Sequence, residues 1–324
     1  MTTPGTIPVD AQASASSSGA GDKDAACKRT AAQLRRDHPK WVVIWAARKG
    51  EYQARPLFRA TPRMIAAATP GELIAQMRQV RQPARTRRRK AARKLEAAVP
   101  GAARAARDNR AFLGRAVRFL AADVGIRQFI DIGTGLPTRG HVHQIARAAD
   151  PAARVIYADN DPIVVAHARA LLADAPQVIA VEADLRFPRH LLTLPAVRNL
   201  IDFDQPVAVL LVAVLHFVSD SDGPASIVAA ITDHLAPGSY VVISHVTGDQ
   251  LAADAVRQAR EIYLGAFTSG VARSRDQIGR MLDGLELVPP GLTNVAAWRP
   301  RRQVTPRRPV LFYAGIGRKP GSAP

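Results

Sequence analysis

Three short stretches of this chain place acids and glycines where apolar runs end. The first is Phe129-Ile130-Asp131-Ile132-Gly133-Thr134-Gly135-Leu136-Pro137-Thr138, an apolar run that closes on an acid and two glycines. The second, Arg154-Val155-Ile156-Tyr157-Ala158, ends in Asp159, 24 residues after Gly135. The third is Val181-Glu182-Ala183-Asp184-Leu185. A carboxylate at the tip of a strand can accept hydrogen bonds from ribose hydroxyls, and the glycines allow a tight turn and close approach of backbone to a ligand. The spacing is that of a nucleotide-binding βαβ unit.

A dinucleotide fingerprint requires a third glycine three positions after Gly135. Thr138 stands there, and Pro137 stiffens the turn. The acid-x-Gly-x-Gly order of Asp131, Gly133 and Gly135 is similar to the first motif of class I S-adenosylmethionine (SAM) methyltransferases. SAM has no pyrophosphate, and an acidic loop favours its cationic sulfonium and amino group. A dinucleotide, or a glycine turn that binds nothing, are the competing readings. With SAM, Gly133 and Gly135 let backbone approach the methionine part. Asp131 orients the loop or pairs with the amino group, and Asp159 holds the ribose. Asn160 lies beside Asp159, while Asp161-Pro162 also reads as a helix cap and first turn. Asp184 and Leu185 face the adenine.

Two histidines, His216 and His245, sit where strands end, and ligands bind at such ends in open α/β sheets. Either can be the base for a protonated nucleophile, or a hydrogen-bonded structural residue. The stretch Val214-Leu215-His216-Phe217 lacks the Asn/Asp-Pro-Pro-aromatic order of enzymes that methylate amino groups of DNA and protein. It is more like small-molecule methyltransferases. His141 and His143 do not make a metal site: two residues apart on a helix point to different faces, and no Cys or third His is near.

Positioning these residues takes a repeating strand–helix frame. Strands are predicted at 127–132, 153–158, 177–182, 206–214 and 238–246, alternating with helices at 139–149, 162–173, 187–199, 224–236 and 249–264. Val207 to Val214 is almost wholly apolar, as a central parallel strand requires. A helix at 102–122 precedes the frame, its apolar stripe made by Phe112, Leu113, Ala116, Val117 and Leu120, with Arg107, Arg110, Arg115 and Arg118 largely off it. A helix at 274–283 and short strands at 285–289 and 309–316 follow.

The net charge is +18 over 324 residues, but residues 1–110 hold 23 Lys/Arg against 8 Asp/Glu, whereas 111–324 hold 22 against 19. Residues 1–21 read as a disordered tail, 22–82 as a small basic α+β module, 83–100 as a basic linker, and 101–324 as the nucleotide-site domain. In the module, a basic helix at 22–37 leads to strands at Trp41–Ala46 and Glu51–Phe58. A third short strand at Met64–Ala67 follows, then a helix capped by Thr69-Pro70-Gly71-Glu72. Trp41 and Trp45 read as its core. The run Arg81–Lys94 is a solvated linker or a clamp on nucleic acid or an acidic partner, and no aromatic residue interleaves it. Cys27 is the single cysteine, which excludes an intramolecular disulfide. No apolar run is long enough to span a membrane. The first 20 residues lack the order of a signal peptide, which points to the cytoplasm.

Residues 105–247 resemble an actinobacterial family of SAM-dependent methyltransferase-like proteins. Five blocks carry the resemblance: Asn109–Arg118, Asp131–Thr138, Tyr157–Pro162, Ala183–Arg186 and Ala213–Val218. It implies a Rossmann-like, seven-stranded, mostly parallel sheet with helices on both faces and the last strand inserted antiparallel. It further implies SAM as cofactor and a small-molecule acceptor. Members usually carry a Tyr- and Gly-rich segment ending in Lys-Asp-Asn-Phe ahead of the Asn-Arg-Ala-Phe-Leu block; the Arg/Lys-rich stretch 81–100 stands there instead. A nucleic-acid methyltransferase or binder using the basic third, and an inactive scaffold with the same fold, are the alternative functions.

Overall fold

A computed structural model of the chain describes residues 15–38, 41–47, 49–56, 65–81, 93–135, 141–172, 175, 177–266, 270–300, 302 and 309–321. The chain divides into two compact units, Met1–Thr86 and Arg87–Pro324.

In the first unit, helix α1 (Ala15–Asp37) begins inside the segment whose composition suggests a tail. Strands β1 (Trp41–Ala46), β2 (Glu51–Pro56) and β3 (Ile65–Ala67) form an antiparallel sheet in that order. Helix α2 (Pro70–Arg81) starts with a reciprocal cap: Glu72 N–H donates to Thr69 Oγ1, and Thr69 N–H to a Glu72 carboxylate oxygen. Trp41, Val43, Tyr52, Leu73 and Met77 close a small core, and Trp45 packs at its edge, tilted against Tyr52, with its indole N–H on Asp24.

The second unit is a sheet buried on both faces. Its strands are β4 (Gln128–Ile132), β5 (Arg154–Asp159), β6 (Val178–Glu182), β7 (Ala208–Val212), β8 (Tyr240–Val246), β9 (Glu286–Leu287), β10 (Thr293–Asn294) and β11 (Phe312–Arg318). The order is β10-β11-β8-β7-β4-β5-β6, and β9 also pairs with β11. Strands β4 to β8 run parallel, and β11 lies antiparallel to β8. Alternation along β4 sends Phe129 to one core and Ile130 and Ile132 to the other. Leu210 and Leu211 of β7 split in the same way.

Helices α3 (Ala102–Arg118), α4 (Val142–Ala149) and α5 (Pro162–Leu171) supply one core. Helices α6 (Pro188–Thr193), α7 (Pro195–Arg198), α8 (Pro224–His234) and α10 (Arg275–Gly279) supply the other. Helix α9 (Ala253–Ala266) follows β8.

Two elements differ from the periodicity. The helix expected at 187–199 is broken at Leu194, which is extended (ψ 133°) because Pro195 disfavours a helical residue before it. The edge strand expected at 285–289 is confined to β9, and a second short piece, β10, follows outside the expected range. Pro289 and Pro290 have no N–H to give β11, so the ladder lapses and resumes at Thr293. These two pieces occupy one edge position, so the sheet has seven places.

Candidate functional site

Strand order reverses between β4 and β7, and a crevice at the carboxyl ends of such a pair is where open α/β sheets bind ligands. One side of this switch point is acidic. After β4 the chain turns through Gly133 (φ +73°) and Gly135 (φ +63°), a region that side chains rarely adopt. A Cβ on Gly133 would fall 2.2 Å from Val214 Cγ2, so glycine is required for the tip of β4 to seat against the chain leaving β7. A Cβ on Gly135 would meet no atom of the described residues within 4 Å.

Asp159 ends β5 beside this turn. Its Oδ2 accepts from Gly135 N–H (3.0 Å) and its Oδ1 from Asp161 N–H (2.9 Å). One carboxylate therefore shapes the glycine turn and the start of α5, and burial raises its pKa against these hydrogen bonds. Asn160 lies between the two acids. Asp131 is buried on β4 and its pKa is pushed up to about 7. Burial is the main cause, Asp159 adds to it, and Arg110 of α3 opposes it. The sequence pattern leaves Arg110 among surface charges; only the packing of α3 shows that its charge acts on the site. Tyr157, paired in register with Asp131, accepts a hydrogen bond from His143 N–H (2.9 Å).

Asp184 turns back on its own loop. It takes the Arg186 guanidinium at 2.6 Å and the Arg186 N–H at 2.9 Å, and the arginine lowers its pKa. Leu185 is buried in the core on the α6–α8 face. Leu136, Pro137 and Thr138, and residues 82–92 of the basic run, lie outside the described residues.

His141 is the N-cap of α4 rather than a residue within it, so the two imidazoles stack with centroids 5.4 Å apart instead of pointing to different faces. His143 Nδ1 pairs with the Tyr157 hydroxyl at 2.9 Å. Among the described residues no group of three or more His, Cys, Asp or Glu is arranged to hold a metal.

The other side of the switch point is apolar and carries the two histidines. Ala213 leaves β7 at φ +57°, a conformation that costs a non-glycine residue about 1–2 kcal/mol. Its N–H is held by the backbone oxygen and Oγ of Ser244, both at 3.0 Å. A short turn, Leu215–Phe217, then carries His216. Beneath it lies Arg273, 3% exposed. Its guanidinium donates to the carbonyls of Leu215 and Val218, to Asp220 Oδ1 (2.7 Å) and to His245 Nε2 (2.9 Å). An arginine can only donate, so His245 carries its proton on Nδ1, which donates to the Val246 carbonyl at 2.7 Å. Both ring nitrogens of His245 are thus committed, and burial holds its pKa down at about 4. His216 is also buried; desolvation, then His245 and Arg273, hold it neutral. Arg273 was not legible as a site residue, because its partners are 28 to 58 residues away in the chain.

A cavity of about 350 Å3 opens beside this turn. His216, Asp220, Thr247 and Arg260 are its polar lining, and Leu95, Val99, Leu251, Val256 and Phe312 are among its apolar walls. Glu96 holds one wall in place by accepting from Gly101 N–H and Ala103 N–H at the start of α3. None of Asp131, Gly133, Gly135, Asp159 and Asp184 lines this cavity.

The strand order, the antiparallel insertion of β11 and the acid–glycine turn at the switch point define a Rossmann-like α/β protein of the methyltransferase type. Residues 86–320 match the S-adenosyl methyltransferase family, and the chain belongs to it. A Thermobifida fusca protein provisionally described as a methyltransferase is 40% identical with a TM-score of 0.68, over 72% of this chain and 88% of its own. A DUF574 family protein from Streptomyces avermitilis is 35% identical with a TM-score of 0.68, over 72% of this chain and 90% of its own. Comparison with curated proteins finds no match. Among the described residues no helix is long and apolar enough to cross a membrane.

Proposed function

We infer that the protein is a SAM-dependent methyltransferase acting on a small molecule. The observation that carries this reading is the Asp159 carboxylate bound to the glycine turn, with no atom of the described residues within 4 Å of a Cβ built on Gly135. When bound, SAM supplies an electrophilic methyl carbon on a cationic sulfur. The donor set fits it. Asp131 supplies negative charge for the amino group, and the remaining lone pairs of Asp159 accept from the ribose hydroxyls. Gly133 and Gly135 admit the methionine part, Asn160 borders the ribose, and Asp184 and Leu185 border the adenine.

Val214 packs on Gly133 and His216 follows two residues later, so the turn Ala213–His216 separates the donor side from the cavity. The acceptor binds in the cavity and presents its oxygen or nitrogen across this turn. With SAM held by Asp131, Asp159 and the glycine turn, that atom would take the methyl group from the sulfonium and leave S-adenosylhomocysteine (SAH). His216, held neutral, takes the proton a hydroxyl or amine loses and passes it to solvent. His245 and Arg273 position the turn. Positioning of this kind supplies much of the rate of an in-line transfer.

Calorimetric titration with SAH tests the reading. Micromolar binding, about −8 kcal/mol, is expected of the full chain. Asp159→Ala should weaken it by about 1–3 kcal/mol. No binding by folded protein, or equal binding by the variant, would refute the assignment.

A further inference from the structure

The cavity has an imbalance of charge that bears on what enters it, given the methyltransferase reading above. Its walls are aliphatic or aromatic over most of their extent, so a ligand that fills it must have an apolar body. At about 350 Å3 it is near the small end of the range of ligand sites, ~300–1,000 Å3. Among the described residues, two charged side chains line it. The charge of Asp220 is offset by an ion pair, since its Oδ1 accepts from both Nε and Nη2 of Arg273. Arg260, on the exposed side of α9, has no hydrogen-bonding or ion-pair partner among the described residues. His216 is neutral and Thr247 is uncharged, so among the described residues that line the cavity the one charge not offset is that of Arg260. A cationic acceptor would meet that charge, and the one carboxylate among the described lining residues, Asp220, is already paired with Arg273. An anion would meet a planar donor suited to carboxylate, sulfonate or phenolate oxygens.

We propose that the cavity is the acceptor site and selects a small apolar acid, its hydrocarbon body against the Leu95, Val99, Val256 and Phe312 walls and its anionic group on Arg260. The end remote from Arg260 carries the atom to be methylated and lies beside His216. Polyamines, amino sugars and other cationic acceptors are disfavoured by the same charge.

Two fluorescent probes of nearly one shape separate the parts of the proposal. Anilinonaphthalene sulfonate is an apolar anion, and phenylnaphthylamine is the same body without the charge. Both should bind the full-length protein with a rise in fluorescence, and Ala105→Phe, which fills the cavity from α3, should remove both signals. Arg260→Gln should weaken the sulfonate about fivefold, the upper range for an exposed ion pair, and leave the amine unchanged. If the Ala105→Phe protein shows no melting transition, Val256→Phe replaces it from α9. Probe binding that survives cavity filling overturns the site. An Arg260→Gln effect equal on both probes, or absent, overturns the preference for acids. SAH titration of the same proteins keeps the two readings apart. Bound SAH with no cavity-dependent probe signal leaves the methyltransferase and removes the acid site. The full probe pattern without SAH binding keeps an acid-binding cavity and removes the methyltransferase.

Discussion

The two sides of the switch point between β4 and β7 are built on opposite principles. On the β4–β5–β6 side, carboxylates and backbone N–H groups hold each other: Asp159 caps the glycine turn, and Asp131 is buried next to it. On the β7–β8–β11 side, a buried arginine gathers a histidine, two carbonyls and a distant aspartate under an apolar cavity. The first side is made from residues near each other in sequence and is suited to a cation with hydroxyls. The second is made from three separate segments and is suited to an apolar molecule. One rim thereby offers two chemistries a few residues apart, which a transfer between unlike molecules requires.

The difference can be broken where the sides touch. Gly133→Ala places a methyl group 2.2 Å from Val214 Cγ2 in a left-handed conformation. Overpacking and backbone strain together should cost about 4 kcal/mol in denaturant unfolding. It should also disturb both sides at once, lowering SAH affinity and cavity-probe binding. Arg273→Gln acts on the cavity side alone. It strands the Leu215 and Val218 carbonyls and His245 Nε2, for a loss of about 3 kcal/mol in the same assay. SAH affinity should change by less than twofold, because the acidic side is intact.

The sides should also answer acid with opposite signs. His245 has its pKa lowered from 6.5 to about 4, so its contribution to stability is complete above pH 6.5 and is lost as pH falls through about 4. Asp131 has its pKa raised from 3.8 to about 7, so its contribution is complete below pH 3.8 and is lost as pH rises through about 7. At about 1.36 kcal/mol per pKa unit, the first is worth at most about 3 kcal/mol and the second at most about 4 kcal/mol. In melting temperatures measured from pH 4 to 8, His245→Gln should remove the loss on the acid side. Asp131→Asn should remove the loss on the alkaline side. An ionised Asp131 favours a cationic ligand, so SAH affinity of the natural chain should fall as pH drops below about 7, and this dependence should vanish in Asp131→Asn. The smallest effect is expected at Gly135. Its added Cβ meets no atom of the described residues, so Gly135→Ala should cost about 1 kcal/mol of stability from φ alone, while closing part of the proposed cofactor groove to SAH.

This contrast also explains what was legible beforehand. The strand–turn–strand spacing of Asp131, Gly133, Gly135 and Asp159 is local, and the five alternating strands follow from apolar runs that must be covered on both faces. The reciprocal cap at Thr69 and Glu72 was equally plain. The break at Pro195 and the split edge at Pro289-Pro290 were visible as prolines but were overridden by the apolar pattern around them. The second side had no such signal. Arg273 stands in an ordinary polar stretch, and only folding brings it under His216 and beside His245. Arg110 and Arg115 looked like surface charges of an amphipathic helix. In the fold Arg110 acts on Asp131, and Arg115 donates to the carbonyls of Val295 and Trp298.

Hydrogen–deuterium exchange of the full chain with and without SAH tests the division of labour most directly. The account predicts slowed exchange at residues 131–135, 158–161 and 183–186, with α9 (Ala253–Ala266) unchanged. Protection confined to residues 246–272, with the glycine turn after β4 unaffected, would contradict it.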